Sequence, residues 1–255
     1  MPTLQLRLLL IALLAWSRWP VPPRARAWAG HDARELARAR AWLPAVGLLV
    51  AVPASVAYAF AALWLPHAVA VLVAMLAALL LGGAVHERGL ARWMDEAEAS
   101  QPGRVGALAA VALAMLLLAR LETLSTIDAT WIAVTLVCAA AFSRGCALLV
   151  AVSLPQREFR GPGAAGMVWA LCWAVVPSAA AAAWTRDPAI FVTAAALALL
   201  AGAAMRRLLR RRMRAGTRLR EHAIDAVQTI VELAYFVGVL ATLSIADGSA
   251  DETAL

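Results

Sequence analysis

The stretch His86–Glu96, HERGLARWMDE, turns polar directly after a long apolar run. Arg88, Arg92 and Asp95 are spaced i, i+4, i+7, which places them on one face of a helix. Three carboxylates at this spacing would suit Mg²⁺, because that ion prefers oxygen ligands. Two arginines suit an anion such as phosphate, since a guanidinium group donates paired hydrogen bonds to its oxygens. A solvated helix in which Arg92 pairs with Asp95 and Glu96 is the other interpretation.

A second polar set lies in the last apolar run, IDAVQTIVELAYFVGVL. Asp225, Gln228 and Glu232 recur at i, i+3, i+7 and so share one face of a helix. Ionisable groups in a membrane span are costly and usually face protein or a cavity. They therefore indicate either a functional site, with Asp225 close to a metal bound near residue 95, or a structural ion pair of Glu232 with Arg144 or Arg120.

Other motifs with a defined chemistry do not occur in the sequence. There is no GxGxxG, Walker, GxSxG or HExxH pattern, and the three cysteines form no CxxC pair. His31, His67 and His222 stand alone, which favours structural roles. The sequence therefore gives no indication of a redox centre or a zinc site.

The elements that carry these residues are predicted to be membrane-spanning helices. Hydrophobic residues make up 63% of the 255 residues and are gathered into long runs. We predict an all-α polytopic membrane bundle of about seven spans. The spans are predicted at about 41–64, 66–85, 105–127, 129–152, 164–184, 189–205 and 223–246. Arg120, Glu122 and Arg144 fall within two of them and are predicted to pack against protein. The first apolar stretch is short for a span, which predicts a retained N-terminal interfacial helix.

The distribution of arginine predicts how the bundle is oriented. All 23 basic residues are Arg, and the formal net charge is +7. The basic residues concentrate in segments 18–40, 86–104, 155–162 and 206–220, which fall on one side if the spans alternate. The positive-inside rule places that side in the cytoplasm. The charge therefore indicates membrane loops rather than a nucleic-acid partner. One membrane domain over 1–255, with a short acidic tail at 247–255, is the simplest organisation.

Six motifs in chain order resemble the cobalamin synthase (adenosylcobinamide-GDP ribazoletransferase) family. A turn similar to the family's "TRLPVP" reads WSRWPVP, and the start of the next span reads ARAWLPAVGLLVAV. The "TGALHEDGLADTADG"-like segment is LGGAVHERGLARWMDE, and the "DSRIGTYG"-like segment is QPGRVGAL. SRGCALLVAVSLPQREFRGPG and REHAIDAVQTIVELAYF match the last two motifs.

This resemblance implies a bacterial inner-membrane enzyme with its active site at the cytoplasmic surface. Such an enzyme joins adenosylcobinamide-GDP to α-ribazole, or its 5′-phosphate, with release of GMP in a Mg²⁺-dependent phosphotransfer. The positions that match the family's motifs are His86, Glu87, Gly89, Asp95, Arg104, Arg144, Asp225 and Glu232. The catalytic candidates are Glu87, Asp95, Asp225 and Glu232, with Asp95 and Asp225 as candidate metal ligands. The candidates for holding substrate phosphates are Arg88, Arg92, Arg104 and Arg144.

By register, two of the family's aspartates fall at Arg88 and Arg92. The first hypothesis is therefore an active transferase whose site is rebuilt with fewer acids. A second is a catalytically inactive relative that acts as a membrane scaffold or a corrinoid-binding partner. A third, suggested only by the Asp225, Gln228 and Glu232 stripe, is a transporter of small solutes.

Overall fold

The computed structural model describes residues 2–30, 32–98, 106–154, 161–214 and 221–252, and every regular element in these ranges is helical. A 3₁₀ turn, Arg40–Trp42, joins α3 to α4. The α-helices are α1 (Pro2–Trp16), α2 (Pro23–Ala29), α3 (Ala33–Ala39), α4 (Leu43–Ala61), α5 (His67–Gly82), α6 (Val85–Glu98), α7 (Ala107–Thr126), α8 (Ala129–Val152), α9 (Gly163–Thr185), α10 (Pro188–Arg214) and α11 (Glu221–Glu252).

Six of these helical stretches are long and apolar enough to cross a membrane, and the bent pair α5 and α6 makes a possible seventh. The short apolar helix α1 precedes them. The predicted all-α multi-pass bundle with a short N-terminal helix is thus confirmed. Helix α11 continues through Glu252, so most of the predicted acidic tail prolongs this helix, and residues 253–255 lie outside the described ranges.

The predicted span 66–85 is instead a short helix that bends sharply. Helix α5 has 16 residues, about 24 Å, which is less than the roughly 30 Å of a hydrocarbon core. The residue that caps its C-terminus, Gly83, has a left-handed φ of 68°. The axis of α6 makes an angle of 81° with the axis of α5. The backbone N–H of Arg18 donates to the Leu81 carbonyl at 2.7 Å, so the N-terminal segment satisfies one terminal acceptor. The bend therefore brings the start of α6 inside the bundle.

Helix α8 is the centre of the bundle. In its most apolar stretch 78% of the residues are buried, against 22% in α9, which lies at the periphery. Helices α4, α9 and α11 pack around α8. Gly47 allows the close approach of α4 to α8, because a Cβ atom there would lie 2.8 Å from the Arg144 guanidinium and against the Ala140 carbonyl.

The prediction that Arg120, Glu122 and Arg144 all pack against protein is correct for the two arginines and wrong for Glu122. Arg120 and Arg144 are buried, whereas Glu122 is exposed. Glu122 lies two residues after Arg120 and so points to the opposite side of α7. It is also one turn from the helix end at Thr126, close enough for its carboxylate to reach the membrane boundary.

Candidate functional site

A cluster of polar side chains lies inside the bundle, between α6, α7, α8 and α11. We call it the polar cluster; it comprises His86, Glu87, Arg120, Arg144, Asp225, Gln228 and Glu232. The bend after α5 positions its first two members, and the i, i+3, i+7 spacing on α11 positions its last three. The predicted polar stripe on the last helix therefore does face the protein interior.

Arg120 is the ionic centre of the polar cluster. Its Nη1 donates to Glu87 Oε1 at 3.1 Å and its Nη2 donates to Glu232 Oε2 at 2.5 Å. The three side chains are at most 16% exposed, so both pairs lie largely away from water. The structural ion pair of Glu232 with Arg120, one of the two alternatives at the sequence level, is therefore present. Removing one partner of such a buried ion pair destabilises the folded protein, because the other charge is left buried without its counter-ion.

His86 and Asp225 form a second pair, with His86 Nδ1 at 3.1 Å from Asp225 Oδ1. His86 is only 6% exposed, and its Nε2 is buried with no hydrogen-bond partner among the described residues. Gly89, one turn along α6, makes the pair possible, because a Cβ atom there would overlap the Asp225 side chain. A carboxylate at Nδ1 fixes the imidazole ring and leaves Nε2 available to a ligand.

Arg144 is the most deeply buried arginine of the polar cluster, with 4% exposure. Its Nη1 donates to the carbonyl of Ala140 one turn earlier at 2.8 Å, and its Nε lacks a partner among the described residues. The carboxylates of Glu87, Asp225 and Glu232 lie close enough to interact with its charge. The Nε of Arg144 is therefore a buried donor that an acceptor atom of a ligand would satisfy.

Two adjoining cavities meet at the polar cluster and share His86, Arg144 and Gln228. The deep cavity, of about 70 Å³, is lined mostly by apolar side chains of α4, α5 and α7 and by the Arg120 ion pairs. The outer cavity, of about 160 Å³, lies between the ends of α1 and α8 and the starts of α4, α6 and α11. Trp16, Arg40 and Asp225 belong to the outer cavity alone. The two cavities can therefore hold different parts of a ligand, with the three shared residues between them.

The arginines that replace family aspartates lie elsewhere. Arg88 is exposed and donates to the carbonyls of Gly83 at 2.8 Å and Ala84 at 3.2 Å, so it closes the turn between α5 and α6. Arg92 is also exposed, and neither side chain lines the two cavities. Arg104 lies outside the described residues. A phosphate-binding role for these three arginines stays a prediction.

Asp95, the other sequence candidate on α6, is not brought together with Asp225. Its Oδ1 accepts the backbone N–H of Gly106 at 2.7 Å, just before α7 begins. Asp95 lies nine residues beyond His86, roughly 13 Å along the helix, whereas Asp225 contacts His86 itself. A single ion with ligand distances near 2 Å cannot contact both carboxylates in this arrangement.

The remaining carboxylates do not form a magnesium site either. Glu87 and Glu232 are paired with Arg120, and Asp225 is paired with His86. Within the described ranges, no group of three or more His, Cys, Asp or Glu side chains is placed to hold a metal. The donor set as arranged therefore does not fit Mg²⁺, and the chemistry proposed below follows no step through that ion.

Sequence reasoning missed Arg40 and gave His86 no role of its own. Arg40 ends an arginine-rich segment, so its type and place suggest a membrane anchor, although its side chain is buried in the outer cavity. The feature of the sequence that could have indicated its burial is its position directly before the apolar run of α4. Arg120 was noted as an intramembrane charge, but only the structure shows that it joins two helices through two carboxylates.

Comparison with known proteins places these features in a family. The family model described as cobalamin-5-phosphate synthase matches residues 8–217. A protein of Azorhizobium caulinodans named adenosylcobinamide-GDP ribazoletransferase is 33% identical over 253 residues, which cover 90% of this chain and 93% of that protein. A Polaromonas protein of the same name is 27% identical over 275 residues, which cover 92% and 96% of the two chains.

The match to a third protein of that name, from Shewanella denitrificans, is 32% identical over 143 residues and spans about half of each chain, 51% of this one and 53% of the relative. No solved structure matches. Because the family model covers most of the chain and one relative aligns over nearly its whole length, this chain belongs to the cobalamin-5-phosphate synthase family.

Proposed function

We propose that this chain is an adenosylcobinamide-GDP ribazoletransferase, which joins adenosylcobinamide-GDP to α-ribazole or its 5′-phosphate and releases GMP. The observation that supports it most is the polar cluster, where buried arginines and a histidine with a free Nε2 line two adjoining cavities in a membrane bundle. The near full-length relationship to ribazoletransferases supports the substrate class.

The arginines supply electrostatic stabilisation of the transferred phosphoryl group. In this proposal, Arg144 donates to a phosphate oxygen from the junction of the two cavities. A guanidinium in a low-dielectric site stabilises the charge that develops on phosphate oxygens, and it needs no reorganisation during the reaction. Arg120 serves as a positioning residue, because its ion pairs hold α6 against α11.

His86 is proposed to receive the proton of the attacking hydroxyl. The oxygen of a free ribose hydroxyl, other than the 5′-oxygen that carries the phosphate in ribazole 5′-phosphate, forms a bond to the phosphorus that carries the cobinamide ester. The bond from that phosphorus to the GMP oxygen breaks. The hydroxyl proton passes to His86 Nε2, and GMP leaves with the electrons of the broken bond. Asp225 orients the ring and stabilises the imidazolium, as a carboxylate does beside a general base.

The location that the resemblance implies remains part of the proposal. The Mg²⁺ that it implies has no part in the steps above, because the carboxylates of the polar cluster are paired with Arg120 and His86. We also propose the bacterial inner membrane, with the arginine-rich loops and the outer cavity at the cytoplasmic surface. The multi-pass fold supports a membrane location.

Complementation tests the proposal in the cell. The chain would be expressed in a bacterial strain that lacks its own cobalamin synthase and is supplied with cobinamide and the lower-ligand base. We expect cobalamin-dependent growth, which His86→Gln removes and Arg38→Gln, at an exposed position on α3, preserves. Absence of growth with confirmed membrane expression would reject the transferase assignment.

An inactive relative is the second candidate, and the arginines at positions 88 and 92 favour it, because family aspartates fall there. If the native chain fails to complement, Arg88→Asp combined with Arg92→Asp separates the two cases. Growth gained by this double variant would identify a chain inactivated at these positions. Release of GMP from adenosylcobinamide-GDP, measured in purified membranes with and without EDTA, shows whether the activity needs a divalent cation.

A further inference from the structure

We propose that Gln228 is a specificity-determining residue, whose carboxamide binds the two adjacent hydroxyls of the ribose in the nucleoside substrate. The inference deepens the proposed function and rests on it for the identity of the nucleoside, but the contact can be measured by binding alone, without turnover. The chemical steps proposed for His86 and Arg144 give Gln228 no task. Its burial, its lack of a hydrogen-bond partner and its place between the two cavities indicate one.

Gln228 is buried without a hydrogen bond from its side chain. It is 4% exposed, and its carboxamide has no hydrogen-bond partner among the described residues. Each other member of the polar cluster has such a partner within those residues. A carboxamide carries two N–H donors and an acceptor oxygen, and burying them unpaired costs free energy. A methionine would fill the same space without this cost, so a glutamine here indicates a ligand group that pairs with it.

The charged members of the polar cluster interact with one another, whereas Gln228 is its uncharged polar member. Arg144 interacts with three carboxylates of the cluster, and two of these are also paired with Arg120. What Gln228 adds to this set is therefore recognition of a neutral group. A carboxamide is satisfied by a group that both donates and accepts, such as a hydroxyl. A fully ionised phosphate offers acceptors only and would leave the Oε1 atom of Gln228 without a donor.

The position of Gln228 on α11 places it beside the histidine that is proposed to act as the base. Gln228 follows Asp225 by three residues, about 4.5 Å along the helix axis, and Asp225 contacts the His86 ring. Gln228 and His86 both line the deep cavity and the outer cavity. A hydroxyl that gives its proton to His86 Nε2 therefore lies at the junction that Gln228 also lines.

The acceptor nucleotide offers the neutral group that this junction fits. Ribazole 5′-phosphate has its two free hydroxyls on adjacent carbons, C2′ and C3′. One of them attacks and gives its proton to His86, so the other lies next to it. The Nε2 atom of Gln228 donates to the attacking oxygen, and its Oε1 atom accepts the hydrogen of the neighbouring hydroxyl. Both ends of the carboxamide are then satisfied, and the attacking oxygen is held in place.

Isothermal titration calorimetry with α-ribazole 5′-phosphate tests this contact on the purified full-length chain in a maltoside detergent. The titration is repeated with the 2′-deoxy and the 3′-deoxy analogues. We expect at least one analogue to bind the native chain roughly tenfold more weakly, because a missing hydroxyl leaves the buried carboxamide unpaired. Equal affinity for all three compounds, or no binding of α-ribazole 5′-phosphate to the native chain, would overturn the inference. This comparison needs no variant and so does not depend on how a variant folds.

Gln228→Met assigns the discrimination to this residue. The variant keeps the length of the side chain and removes its donors and acceptor, so it should bind α-ribazole 5′-phosphate roughly tenfold more weakly and no longer distinguish the deoxy analogue. Gln5→Met, at an exposed position on α1, is the matched control and should bind like the native chain. A Gln228→Met variant that still distinguishes the analogue would rule out the contact.

The stability of the same variant separates a ligand contact from a structural one. Without ligand, Gln228→Met should unfold at the same temperature as the native chain or a higher one, because an unpaired buried carboxamide is replaced by an apolar group. A clear fall in the unfolding temperature would show that the carboxamide serves the fold, and it would count against the inference.

GMP, the leaving group of the proposed reaction, also carries a ribose with two adjacent hydroxyls, so it is titrated into the same proteins. Weaker binding of GMP to Gln228→Met, with unchanged binding of α-ribazole 5′-phosphate, would overturn the assignment to the acceptor nucleotide. The outcomes also separate this inference from the proposed function. Discrimination that depends on Gln228, in a chain that does not complement, would keep the contact and reject the transferase. A chain that complements but does not discriminate would keep the transferase and reject the contact.

Discussion

A single guanidinium, that of Arg120, holds two carboxylates from different helices inside the bundle. Its removal leaves Glu87 and Glu232 buried without the guanidinium that pairs with them, and breaking a buried pair in this way costs about 3–5 kcal/mol. We therefore expect Arg120→Gln to lower the unfolding temperature of the detergent-solubilised protein markedly. Intrinsic tryptophan fluorescence during heating measures this directly.

Neutralising the two carboxylates that Arg120 pairs with should restore part of the lost stability. Arg120→Gln combined with Glu87→Gln and Glu232→Gln buries only neutral groups, so the triple variant should be more stable than Arg120→Gln alone. A triple variant less stable than the single one would show that the carboxylates do not depend on Arg120. Arg92→Gln, at an exposed site, is the control for loss of one arginine.

Asp95 has a structural contact that predicts a moderate effect. Its carboxylate accepts the Gly106 N–H, one of the donors left open where α7 begins, and losing such a contact typically costs about 1 kcal/mol. Asp95→Asn, which keeps an acceptor oxygen, should retain most of the stability that Asp95→Ala loses. If both variants abolish complementation while both remain folded, the carboxylate charge of Asp95 is needed for activity as the family resemblance implies.

At the scale of residues, the sequence predicted which side chains are unusual more accurately than where they point. The stripe Asp225, Gln228 and Glu232 was predictable, because three polar groups on one face of an apolar helix have to face protein. The spacing of Arg88 and Arg92 shows only that they share a face. Which face is buried depends on Leu90 and Trp93, whose burial against the bundle leaves both arginines outside.

At the scale of elements, the sequence predicts the existence of the helices well, because long apolar runs are a strong signal. It does not predict where the helices end or bend. The run at 66–85 reads as one span, since both sides of Gly82 are apolar. The bend depends on the left-handed conformation of Gly83, on a positive φ at Ala84 and on the packing of α6 against α11. A glycine pair allows this conformation without revealing from sequence alone that the chain adopts it.

The contact between α6 and α11 can be tested at Gly89. A Cβ atom at this position would overlap Asp225, so Gly89→Ala should push the helices apart and break the pair of Asp225 with His86. Overpacking of this kind costs about 1–3 kcal/mol, and activity in the complementation assay should fall with it. Thermal unfolding and growth are the two measurements.

Gly82→Ala is the matched control for that substitution. A Cβ atom at Gly82 meets only Val50 Cγ1 at 4.0 Å, and alanine is the better helix former, so stability should be unchanged or slightly higher. Equal behaviour of the two alanine variants would mean that α6 and α11 are not in the close contact described above.

Over the whole molecule, the two ends of the bundle differ in charge. The end that carries Arg40 and the last turns of α10 holds most of the arginines, and two of these, Arg206 and Arg210, donate to Ser153 at the C-terminal end of α8. Trp64, Trp131 and Trp184 lie near helix ends at the opposite side, where an aromatic belt is expected. The outer cavity opens between elements of the arginine-rich end.

The orientation of these two ends is the prediction on which a cytoplasmic site depends. In a background with the three native cysteines replaced, Arg186→Cys marks the turn between α9 and α10, and Met213→Cys marks the opposite end of α10. Because the positive-inside rule retains the arginine-rich end in the cytoplasm, a membrane-impermeant maleimide should label Arg186→Cys in intact spheroplasts and Met213→Cys only after the membrane is opened. The reverse pattern would place the outer cavity on the periplasmic side, away from a nucleotide-activated substrate, and would count against the transferase.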